Sequence, residues 1–255
     1  MSTRARTDPD HLRQVLEAIE AEAPHTAHED DPAPVKLLKR IVPHGARTPL
    51  RELVTTAMRP RAERQAQQLV ASGQPIRLNI GSGFKPIAGW TNMDLAGASV
   101  DLTWNLKRGI PFPDATVTAI YSEHLYEHLP IGAGLAVARD AVRALRPGGV
   151  FRVAVPDAGL LLRSYAGTDD EEWALSRPTR MQSVMSLFYE NGHTTMYDEQ
   201  LLTALCELAG LTDVTARQFG ESAIDGPAPD SEHRRSGTLY VEGVKPASAS
   251  AAENL

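Results

Sequence analysis

Apolar positions fall into two patterns along the chain, and the change between them comes near residue 75. Before it, Leu12, Val15, Leu16 and Ile19 recur at helical spacing behind Asp8-Pro9, a cap and first-turn proline. An acidic, proline-punctuated stretch over 22–34 reads as a linker, followed by a short helix near 35–41. A further helical pattern over 49–73 is expected to break or kink at Pro60. From Ile76 onward, short apolar runs alternate with helical patterns, as in a parallel sheet with crossovers. Strands are predicted at 76–80, 91–94, 100–102, 117–121, 150–155, 214–218 and 238–244.

Two helices are marked within that region. Leu135, Ala138, Val142 and Leu145 form an amphipathic stripe that stops at Pro147-Gly148-Gly149, and Leu201, Leu202, Leu205 and Leu208 form another, capped by Asp198 and ended by Gly210. The interval from Gly83 to Thr91 is too short, and with Pro86 and Gly89 too broken, for the helix that usually joins parallel strands, so a loop is expected there. The insert 169–191 reads as helical and as part of a lid, and the small, polar tail 247–255 as disordered.

Charge and composition narrow the partners. A formal net charge of -6 and 5% aromatic residues argue against nucleic acid, which is held by released counterions and by base stacking. No apolar run approaches the roughly 18 residues of a membrane span, and the first ten residues lack a secretory apolar stretch. A cytoplasmic protein with a small-molecule substrate, monomeric or homodimeric, is expected. Cys206, the single cysteine, lies in an apolar helical pattern and reads as packing.

The chemistry-bearing blocks come in a fixed order. Leu78-Asn79-Ile80-Gly81-Ser82-Gly83 runs a buried-type strand into a glycine turn, where backbone can approach a ligand and successive N–H groups can hold a carboxylate or phosphate. The third glycine of a dinucleotide fingerprint is missing, because Pro86 stands at its position. Asp94 closes the second strand, where a carboxylate can accept from a ribose diol. Then follow Asn105-Leu106, the Ile110-Pro-Phe-Pro-Asp114 turn, Tyr121-Ser122-Glu123-His124-Leu125-Tyr126-Glu127-His128-Leu129, Leu145-Arg-Pro-Gly-Gly149, and a late His193-Thr-Thr-Met-Tyr197-Asp198.

In this order the blocks resemble the class I S-adenosylmethionine-dependent methyltransferases, particularly small bacterial members, over roughly residues 76–246. The resemblance implies a Rossmann-like α/β fold: a seven-stranded, mostly parallel sheet with flanking helices, carrying an added N-terminal helical segment over 1–74. It implies S-adenosylmethionine as cofactor, with Gly81, Ser82 and Gly83 at its methionine part, Asp94 at its ribose and Asn105-Leu106 at its adenine. Asn79, Ser122 and Glu123 complete the implied cofactor shell. Asn79 and Asn105 stand where many members carry acidic residues, which leaves open a relative that binds without turnover.

Methyl transfer to oxygen or nitrogen of a small acceptor needs in-line placement and gains from a nearby base. His124 is the first candidate and His193 the second. Tyr126, His128, Tyr197, Arg180 and Arg235 are candidates for acceptor binding, the arginines suiting an anionic acceptor, while a sugar hydroxyl is left open as the alternative. His124, Glu127 and His128 also spell the HxxEH pattern of inverted zinc peptidases. Because the methyltransferase blocks account for the same residues, no metal is expected.

Overall fold

The computed structural model describes residues 44–97, 99–169, 177, 179–189 and 192–247. The helices expected before residue 44, and the tail beyond 247, lie outside the described residues. The chain divides into two compact units, Met1–Pro49 and Leu50–Leu255. Helix α1 (His44–Ala71) is the first described element. It continues through Pro60, where a break was expected: Pro60 is exposed, so the carbonyl left without its intrahelical donor can meet solvent. Ala62 and Ala66 of α1 are buried in the main core, so the expected N-terminal extension shares that core from this point.

Seven strands form one sheet in the order β3-β2-β1-β4-β5-β7-β6: β1 (Ile76–Ile80), β2 (Thr91–Asp94), β3 (Leu102–Thr103), β4 (Val117–Glu123), β5 (Leu145–Pro156), β6 (Thr212–Arg217) and β7 (Thr238–Val244). The pairs joining β3, β2, β1, β4 and β5 are parallel. Strand β7 inserts antiparallel between β5 and β6. The order reverses direction at β1, and the crevice at the carboxyl ends of β1 and β4 is where open α/β sheets take their ligands.

Each of the seven strands overlaps a predicted apolar run, with β3 and β6 displaced by about two residues and β5 by an informative extension. Strand β5 starts at Leu145, which pairs with Val117, and the pairing slips between Val117 and Ala119 before resuming at Val150. The Pro147-Gly148-Gly149 turn is therefore an irregular excursion within a strand, and helix α2 (Ile131–Ala144) has ended three residues before it. Gly148, at φ +76°, and Gly149 are held there by paired backbone bonds to Lys245.

The two faces of the sheet are covered differently. Leu78, Ile80, Ile120, Phe151, Val153, Leu239 and Val241 share a core with α1, α2 and helix α5 (Glu199–Leu208). Asp198 caps α5 as expected, accepting from Leu201 N at 2.8 Å. Its buried face is Leu202, Leu205 and Cys206; Leu201 and Leu208 face solvent. On the opposite face, Ala119, Tyr121, Ala154 and Tyr240 pack beneath Ile87, Trp90, Phe219 and Ile224, which come from the segments that follow β1 and β6.

That second face is pinned by charge. Arg152, 0% exposed, makes a two-pronged contact with Asp230 at 2.7 Å for each bond, reaches Glu242 at 3.2 Å, and lies 4.8 Å over the Tyr240 ring. Burial alone would disfavour this cation, but the Asp230 and Glu242 carboxylates outweigh it and raise its pKa. Helices α3 (Ala158–Ala166) and α4 (Arg180–Tyr189) pack on each other through Ala158, Leu161 and Leu187. Within the 169–191 insert, residues 180–189 are thus helical.

Candidate functional site

The turn after β1 is stapled to β2. Gly81 and Ser82 N–H both donate to Met93 O, at 2.8 and 3.2 Å, and Gly83 N–H donates to Asp94 Oδ2 at 2.8 Å. An open nest of N–H groups was expected here. Because no helix separates the strands, these amides turn toward β2 and are already engaged. The loop behind them, 84–90, is held by two buried asparagines: Asn79 donates to Asn92 Oδ1 at 3.0 Å, and Asn92 bonds Ile87 and Trp90. The amide of Asn79 is thereby committed to the loop.

The two glycines have different reasons. Gly81 (φ +69°) lies under Leu125, whose carbons would stand 2.9–3.0 Å from an added Cβ. Gly83 (φ +55°) has nothing within 4 Å of that position, so it opens onto free space. Asp94, half-buried, uses Oδ2 for Gly83 and Oδ1 for Leu95 N–H at 2.5 Å. Each carboxylate oxygen keeps a second acceptor direction. Asn105 is brought beside it, since Trp104 N–H donates to Asp94 O at 2.8 Å; its side chain caps the short helical turn Leu106–Arg108.

The end of β4 supplies the rest. Ser122 pairs in register with Ile80, and its hydroxyl, like that of Ser82, is buried with no hydrogen-bond partner among the described residues. Glu123 faces away, accepting from Tyr121 OH and from Ser231 N–H and Oγ–H at 2.6–3.1 Å. His124 has φ +51°, a left-handed conformation uncommon for a side-chain-bearing residue. The bend aims its ring back, with Nδ1 3.2 Å from Glu127 Oε1 and Nε2 3.2 Å from Thr238 Oγ1.

Glu127, which the sequence marks only as the glutamate of the HxxEH pattern, is the hub of this corner. Its side chain is 2% exposed, and the backbone carbonyl accepts from Thr194 and Thr195 N–H at 2.7 and 3.1 Å. Those bonds bring His193 alongside, its ring 4.9 Å from that of exposed His128. Burial works against the Glu127 charge, yet the neighbouring imidazoles of His124 and His128 outweigh it and hold the carboxyl below its ordinary range. Burial likewise pushes the His193 imidazole down, favouring its neutral form.

Other sequence candidates lie elsewhere. Tyr126 and Tyr197 are 0% and 1% exposed within the main core, where acceptor contacts had been expected of them. Arg180 binds Ser164 O at the end of α3, while Arg235 pairs with Glu232 and lies 4.9 Å over the Phe219 ring. Burial pushes the Cys206 thiol up to about 12, which suits its place in the core. A separate groove of about 610 Å³ lies between α1 and the 104–113 segment, lined by Arg59, Glu63, Trp104 and Arg108.

No family model and no curated relative matches the chain. Solved structures do. A SAM-dependent methyltransferase from Thermotoga maritima is 15% identical, with a TM-score of 0.46 over 78% of this chain and 95% of its own. The 1,6-didemethyltoxoflavin-N1-methyltransferase of Burkholderia thailandensis, with S-adenosylhomocysteine bound, is 14% identical, with a TM-score of 0.44 over 80% and 91%. A further SAM-dependent methyltransferase, from Archaeoglobus fulgidus, is 15% identical, with a TM-score of 0.43 over 76% and 94%. Likeness at this level leaves function to be argued from the residues themselves.

Proposed function

We propose that the chain is an S-adenosylmethionine-dependent methyltransferase acting on an oxygen or nitrogen of a small acceptor. The observation that carries the reading is the bond from Gly83 N–H to Asp94 at the switch of strand order, which unites the two sequence blocks that the family resemblance assigns to the methionine part and the ribose of one cofactor.

The residues present suit such a ligand. Asp94 retains acceptor directions for a ribose diol, Gly83 leaves its open side free for close approach, and the buried hydroxyls of Ser82 and Ser122 await partners. Asn105 and Leu106, next to Asp94, would flank the base. When bound, S-adenosylmethionine supplies an electrophilic methyl carbon on a positively charged sulfur. The protein's task is placement of the acceptor in line with that carbon, and removal of one proton.

His124 would serve as the base. With Nδ1–H directed at Glu127, His124 Nε2, which lies 3.2 Å from Thr238 Oγ1, would accept the proton that the acceptor gives up. The Glu127 carboxylate would then balance the imidazolium charge. Glycine, serine and aspartate bind and orient, and His124 with Glu127 holds the proton.

Calorimetric titration with S-adenosylhomocysteine tests the reading. Wild-type protein should bind one equivalent, and Asp94→Ala, losing charge-assisted hydrogen bonds of about 1.5–3 kcal/mol, should bind about 10- to 150-fold more weakly. Absence of binding by folded wild-type protein refutes it.

A further inference from the structure

We propose that Glu127, His128 and His193 form a binding site for one divalent transition-metal ion of the zinc type. Each offers a ligand atom, and the three atoms lie within 4.8 Å of one another. Two imidazoles and one carboxylate are a zinc donor set, with a fourth position left for water, whereas magnesium and calcium take oxygen ligands.

Three observations support a cation here. First, both oxygens of the Glu127 carboxylate are buried, and although His124 Nδ1 stands 3.2 Å from Oε1, Oε2 has no hydrogen-bond partner among the described residues. A buried carboxylate is costly unless a positive charge accompanies it. Second, His193 Nδ1 lies 2.6 Å from Leu187 O. A carbonyl only accepts, so Nδ1 carries the proton and Nε2 presents its lone pair, the second-shell arrangement that fixes metal-ligating histidines. Third, the bonds from Thr194 and Thr195 N–H to Glu127 O clamp the segment carrying His193 onto the turn carrying Glu127 and His128.

Ligand atoms around a tetrahedral zinc ion stand roughly 3.3 Å apart, from bonds of about 2.0–2.1 Å. The trio must therefore close by up to about 1.5 Å, with the exposed His128, whose ring stands edge-on to that of His193, turning inward. His124 lies outside the trio: its Nδ1 faces Glu127 Oε1, which orients the carboxylate. The pairing thus differs from the HxxEH zinc pattern, in which the two histidines of the motif bind and the glutamate serves as base. The site stands independently of the cofactor reading, because metal uptake is measured without any methyl donor.

The test uses the untagged full chain, stripped with chelator and titrated with Zn2+ by calorimetry, and with Co2+ by visible absorption. One equivalent should bind, and cobalt should show the intense bands of a four- or five-coordinate ion. His128→Ala and His193→Ala should each weaken binding by about 100-fold with unchanged circular dichroism, while His233→Ala, remote from the trio in sequence and on an exposed turn, should match wild type. Should His193→Ala fail to fold, His128→Ala decides alone, because that side chain is exposed. No stoichiometric uptake, or uptake that survives His128→Ala undiminished, overturns the proposal.

Discussion

Replacing Arg152 with methionine should destabilise the protein more than most single substitutions, and the structure indicates where the cost arises. The guanidinium is wholly buried and gives two bonds to Asp230, one to Glu242 and one to Gln218 O. After Arg152→Met, Glu242 still has Arg217 Nε, Ser222 Oγ and Ala223 N–H, at 2.8–3.0 Å. Asp230 keeps only Gly220 N–H, at 2.8 Å, among the described residues. The cost therefore concentrates on Asp230, a carboxylate 1% exposed and left without its cation. Breaking a buried pair in this way costs about 3–5 kcal/mol. At about 2–4 °C per kcal/mol for a chain of this size, the melting temperature should fall by about 6–20 °C. Thermal melts and urea titrations measure it. The double variant Arg152→Met/Asp230→Leu should recover much of the loss. A single variant within about 1 kcal/mol of wild type would refute the view that this charge cluster holds the second face together.

Three further outcomes follow from particular contacts. Gly81→Ala places a Cβ 2.9–3.0 Å from Leu125 carbons at φ +69°, and should cost about 1–3 kcal/mol in a urea titration; Leu125→Ala in the same chain should relieve the contact but not the backbone strain. For Asp140, burial opposes the charge, but hydrogen bonds from Arg143 and Ile110 N–H outweigh it and lower the pKa. Its stabilisation is complete above the unfolded value of about 3.9 and lost as pH falls through the depressed folded value, so the advantage of wild type over Asp140→Asn should vanish in that acid window, and an advantage constant down to pH 2 would contradict it. Cys206, buried and with its thiol pushed up to about 12, should resist alkylation at pH 8 until denaturant is added, and rapid native labelling would contradict its place in the core.

The sheet was legible because its evidence is local. Buried strands such as 76–80 and 238–244 declare themselves by apolar runs between turn residues, and the missing helix after β1 follows from ten residues that include Pro86 and Gly89. The start of β5 was not legible, since Leu145 continues the apolar stripe of α2 and only its pairing with Val117 makes it a strand. Faces of short turns were equally hidden. Tyr126 and Glu127 point inward while neighbouring His128 faces solvent, a difference that no periodicity can express in a three-residue helical turn.

At the site, residues far apart in sequence met as the blocks suggested in one case and otherwise in another. Gly83 and Asp94 are bonded, but the turn's N–H groups are turned to β2, because β1 and β2 are joined by a loop that brings Met93 O within reach. His124 and His193 were both named from sequence, and Glu127 with His124 in the HxxEH pattern, yet the meeting of Glu127 with His193 emerges only when the 193–195 segment bonds to its backbone. The cover over Arg152 left no sequence signature, since 218–235 is irregular and its anchor Asp230 lies 78 residues away.

The most direct measurement is a crystal structure of the chain with S-adenosylhomocysteine. Electron density for the ribose hydroxyls against the Asp94 carboxylate, with the homocysteine portion running past Gly83 toward Ser122, is what the assignment requires. A ligand lodged instead in the groove beside Trp104, or a crystal with no ligand at saturating concentration, would contradict it.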